Sequence, residues 1–172
     1  MSRLFTFLIP FIAFQLAFGQ TAADLPLAKD LAHLGDVRAD LAKTVGKPVF
    51  SGPSSDLYFT GKYFVWTSFK MPLISDITYV RVTDSALFIA ALKSRDKNAV
   101  ESLKVVLTAK EIDVLLEQHA IDSNGAKQSW KRLKEGRWER SDGAKAATNG
   151  GGKELIVATK DVWPNLILDP EK

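Results

Sequence analysis

The stretch LYFTGKYFVWTSF, residues 57–69, restricts the folds open to this chain more than any other. It is dense in Tyr, Phe, Val, Trp and Thr, residues that fit a pleated surface. Tyr63, Val65, Thr67 and Phe69 alternate onto one face, and Phe64, Trp66 and Ser68 onto the other. Both faces are largely apolar, which calls for a central strand covered on both sides. Such a run could also line a pocket for a small apolar ligand, as in small β-barrels; the core-strand reading is the simpler one.

Further strands are expected around it. Residues 77–82 and 86–92 read as a pair joined at Thr83-Asp84-Ser85, a short polar link suited to a hairpin. Residues 100–107 alternate, with Leu103, Val105 and Leu107 on one side. In the last third, 128–134 and 137–141 flank Glu135-Gly136, a tight turn, and 154–159 form a short strand. Links this short exclude parallel crossovers. Two helices complete the pattern. Residues 109–120 follow Thr108-Ala-Lys-Glu111, a capping box in which each side chain satisfies the other residue's backbone N–H, and carry the apolar stripe Ile112, Leu115, Leu116 and Ala120. Residues 24–43 have near-helical apolar spacing, with Gly35 weakening the middle. The expected class is α+β: a curved, mainly antiparallel sheet of about eight strands, with an N-terminal helix and the 109–120 helix packed on it.

The first nineteen residues are read apart from this fold. Arg3 precedes an apolar run ending in Ala17-Phe18-Gly19, with small residues where a signal peptidase cuts. The run is too short for a bilayer span, which needs about 20 residues. Residues 1–19 are therefore expected to be a secretory signal peptide, with 20–172 a single domain and 44–55 a loop between helix and sheet. The expectation is a secreted or periplasmic protein that does not span the membrane once processed. The chain has no cysteine, which excludes disulfides, thiolate metal sites and cysteine nucleophiles.

Little else suggests catalysis. There is no nucleophile elbow and no phosphate-binding glycine loop, and the two histidines show no metal-ligand spacing. No cofactor or metal is expected. His119, near Glu111, Asp113 and Glu117, is the single weak catalytic candidate, as a base in a small hydrolase. Its place at a helix end fits a structural role as well.

The segment 127–145 is more telling. Lys127, Lys131, Arg132, Lys134, Arg137, Arg140 and Lys145 stand against Glu135, Glu139 and Asp142, a net +4. The rest of the processed chain is slightly acidic, so the positive charge is local. Trp130 and Trp138 are interleaved with it. A two-residue turn at Glu135-Gly136 would set Leu133 opposite Trp138 and Arg132 opposite Glu139, with Trp130 on the other face beside Arg132 and Lys134. Indoles beside cations can stack on a sugar ring while Lys and Arg meet anionic groups. Trp130, Arg132, Lys134, Arg137, Trp138 and Arg140 are the candidate binding residues. The expected partner is an anionic glycan or an acidic protein. Nucleic acid is disfavoured by the small overall charge. The function expected is non-catalytic binding in the cell envelope, ahead of an apolar-ligand carrier or a hydrolase.

Overall fold

Two antiparallel meanders meet along one seam to form the sheet. The computed structural model describes residues 32–122 and 124–163. The first meander is β1 (Phe50–Ser51), β2 (Ser55–Phe59), β3 (Tyr63–Lys70) and β4 (Leu73–Val82). Three helices and a two-residue strand follow: α2 (Ser85–Ser94), α3 (Lys97–Leu103), β5 (Lys104–Val105) and α4 (Ala109–Gln118). The second meander is β6 (Trp130–Lys134), β7 (Arg137–Arg140), β8 (Lys145–Asn149) and β9 (Glu154–Ala158). The strand order is β1-β2-β3-β4-β9-β8-β7-β6, and β5 extends the β9 line along the edge of β4. Every pairing is antiparallel. No helix among the described residues is long and apolar enough to cross a membrane.

The double-sided burial read from residues 57–69 is what the sheet displays. Tyr63 and Val65 join Tyr79, Leu115, Leu116, Leu155 and Val157 in one core. Phe64 joins Leu57, Val80 and Phe88 in a second core, with Trp66 packed against it. α4 covers the first face, and the α2–α3 hairpin covers the second. α1 (Arg38–Thr44) adds Leu41 to the first core. It is tied to β2 by Arg38, whose guanidinium clamps the buried Asp56 carboxylate with contacts of 2.7 and 3.0 Å. A two-pronged charged pair of this kind is stronger than a neutral hydrogen bond. The aromatic run thus forms packed core on both faces.

One expected strand is helical and another is helical in its first half. Residues 86–92 lie in α2, because Asp84 caps it: the carboxylate accepts from Leu87 N at 2.9 Å, and the helix then buries Phe88 and Ala91 together. Of residues 100–107, the first four end α3, Lys104 and Val105 form β5, and the last two lie beyond both. Asp96 caps α3 by accepting from Ala99 N at 3.0 Å, so the apparent alternation is broken at Leu103. The capping box of α4 is present in full. Of the expected N-terminal helix, residues 24–31 lie outside the described residues, as does the 1–19 segment. Gly35 sits in a turn at φ 88°, a conformation that favours glycine, and α1 begins only at Arg38.

The caps make a test. Asp84→Ala should lower stability by about 1 kcal/mol in urea unfolding, the ordinary value of a helix N-cap. An unchanged midpoint would argue for the hairpin that the sequence suggests.

Candidate functional site

The β6–β7 hairpin and α4 enclose a cleft of about 440 Å³. α4 contributes Asp113, Leu116 and Glu117, and Ala120 follows just beyond its end. These positions are spaced i, i+3, i+4, i+7 and so share one side of a helical path. The hairpin side contributes Trp130, Arg132 and Trp138, with Gln128 and Ser129 leading in.

The register that builds this wall differs from the one expected. Lys134 does pair with Arg137 across the Glu135-Gly136 turn, but the ladder then shifts at Leu133. Arg132 faces Trp138, Lys131 faces Glu139, and Trp130 faces Arg140. One extra residue in a strand reverses the facing of all residues beyond it. The bulge therefore brings Trp130 and Trp138 to the same face. Both indoles are half-buried and pack against the core beneath α4. Without the shift, Trp130 would point away from that core and Lys131 towards it. Burying an indole is worth about 2 kcal/mol or more in area terms, enough to offset a locally broken ladder. The Trp130 N–H is buried and has no acceptor among the described residues.

The six candidate binding residues thus divide. Trp130, Arg132, Trp138 and Arg140 share the cleft-side face, whereas Lys134 and Arg137 pair with each other on the opposite one. Arg140 is on the right face but turned inward, at 4% exposure. Its guanidinium grips Asp142 through contacts of 2.6 and 2.9 Å and donates to the His119 carbonyl at 2.7 Å. It also stands 5.8 Å from the Trp130 ring centre. Those hydrogen bonds from Arg140 hold the Asp142 carboxyl below its usual range. Arg140 is a clamp that fixes the end of α4 and backs Trp130. Arg132 is exposed and has no ion pair among the described residues.

His119 is sealed rather than poised. It is 0% exposed, and its Nε2 lies 2.7 Å from the Tyr79 hydroxyl. Its Nδ1 has no partner among the described residues. The His33 and His119 rings form a T-shaped pair with 6.1 Å between centres, and Asp36 bonds to His33 rather than to His119. The ring therefore lacks both the open access and the adjacent carboxylate that a hydrolytic base requires. Burial pushes its pKa down to about 3, so it is neutral at ordinary pH.

That burial has a consequence for stability. The unfolded imidazole takes up a proton below about pH 6.5, whereas the folded ring stays neutral down to about 3. Stability is full above that window and falls as pH drops through it, at about 1.4 kcal/mol per pH unit once the unfolded ring is protonated. His119→Gln should show a shallower loss between pH 6 and 4 in urea unfolding, the carboxylate contributions being common to both proteins. Equal slopes would count against a neutral buried ring. Compared with known proteins, the chain matches no family model, no curated protein and no solved structure.

Proposed function

We propose that this chain is an exported, non-catalytic binding protein and that the cleft between α4 and the β6–β7 hairpin takes an anionic glycan. The observation that carries the reading is the juxtaposition in one cleft of Trp130, Trp138 and Arg132, whose side chain has no ion pair among the described residues. Indole faces stack on the apolar side of a sugar ring, and a guanidinium matches a carboxylate in two-pronged fashion. The Ser129 hydroxyl on the cleft lining can donate to and accept from ring hydroxyls, whereas the Gln128 amide is held by Asp122 and Ser141. Export is supported by Arg3 and the apolar run after it.

The cleft favours a glycan over an acidic protein. Asp113 and Glu117 stand on its α4 wall, where an acidic protein surface would meet like charge. Sugar hydroxyls instead donate to carboxylates. The apolar-carrier alternative finds less support, since Tyr63, Phe64 and Val65 are all at most 1% exposed within packed clusters.

Titration with uronic-acid oligosaccharides, followed by tryptophan fluorescence, tests the reading. Saturable binding should weaken as salt rises. Trp138→Ala should weaken it about tenfold or more, the scale of one lost stacking contact. Arg132→Gln should weaken it and flatten the salt dependence. Salt-independent binding, or full affinity in Trp138→Ala, would overturn the proposal.

A further inference from the structure

The charges of the cleft are sorted by wall. α4 presents Asp113 and Glu117, whereas the opposite side presents Lys127 and Arg132. One couple, Glu117 with Lys127, closes at 3.8 Å in solvent, with both side chains at least 74% exposed. Such an exposed pair contributes little and yields readily to a ligand. The other couple stays open. Asp113 and Arg132 line the same cleft with opposite sign, yet neither side chain has an ion pair or hydrogen bond among the described residues.

A purely acidic ligand meets Arg132 favourably and the two carboxylates unfavourably. It would also leave an otherwise balanced cleft with an excess negative charge. A ligand with an ammonium and a carboxylate on one ring resolves both problems. Its carboxylate faces Arg132, its ammonium faces Asp113, and the indoles that line the same cleft accept the ring face and the cation. From this sorting we infer that the cleft selects a dipolar sugar, an amino sugar that also bears an acid, over sugars with either charge alone. The inference rests on the glycan reading of the cleft and narrows it.

Three probes separate the possibilities at neutral pH: muramic acid with its free amine, glucuronate and glucosamine. Binding is read by calorimetry or tryptophan fluorescence at millimolar concentration. Muramic acid should bind about tenfold or more tighter than either singly charged sugar, the scale of one charge-assisted hydrogen bond. Asp113→Asn should bring muramic acid down to the glucuronate level while leaving glucuronate unchanged or improved. Arg132→Gln should bring it down to the glucosamine level. Both side chains are exposed, so neither change threatens the fold. Glucuronate binding as tightly as muramic acid, with Asp113→Asn silent, overturns the dipolar inference and leaves the anionic-glycan reading standing. Glucosamine binding as tightly as muramic acid, with Arg132→Gln silent, overturns both. Failure of all three probes to bind also overturns both.

Discussion

One buried carboxylate fixes the position of α4, and the cleft depends on that position. Glu111 is 8% exposed, and leaving a carboxylate there unpaired would be costly. Its Oε2 accepts from the Thr108 N–H and hydroxyl, each at 2.9 Å, which closes the start of the helix. Its Oε1 accepts from the Tyr63 hydroxyl at 3.1 Å and pairs with Lys62 and Arg81 at 3.2 Å. Burial works to raise the pKa of this carboxyl, but the Thr108 hydrogen bonds, with Lys62 and Arg81, lower it on balance. A single side chain thus joins α4 to the β3 end and to β4. Arg140 secures the other end of the helix through the His119 carbonyl. Held at both ends, α4 has a set rotation about its axis, and that rotation places Asp113 and Glu117 on the cleft wall.

The elements legible in the sequence are those whose signal is local. The Thr108–Glu111 box lies within one helical turn, so both its residues can be read directly. The double-sided burial of 57–69 was equally plain, because alternation within one strand reports both faces. α2 was misread for a physical reason. Asp84 between two apolar runs suits a hairpin link and a helix cap alike, and the choice is settled by where Phe88 and Ala91 are buried. Residues 100–107 show the same ambiguity, since an alternating pattern can also arise where a helix ends and a short strand begins.

The candidate site was half legible. The concentration of indoles and cations in 127–145 picks out the hairpin that lines the cleft. Its register did not follow from the Glu135-Gly136 turn, although Gly136 does adopt φ 66° there. The bulge at Leu133 exists because α4 and the core reward Trp130 for facing them, and no property of the hairpin alone contains that information. Arg140 shows the converse. In the sequence it is one cation among seven, and only the fold places Asp142 and the His119 carbonyl around it. The contribution of α4 to the cleft was likewise hidden, because Asp113 and Glu117 read as ordinary solvated charges on a helix.

The seam between the meanders dictates an order of assembly. Each meander can form from neighbours in sequence, but β4 and β9 pair residues as distant as Asp76 and Ala158. Contacts that close so long a loop come late and slow the folding of the whole. As the chain emerges from the ribosome, β5 can cover the end of β4 at Arg81 and Val82, but the stretch from Asp76 to Val80 must wait unpaired on that edge until β9 is made. An open edge is a template for wrong pairing. The vulnerable species of this protein is therefore a half-built sheet, and its cure is the arrival of five residues near the end of the described chain.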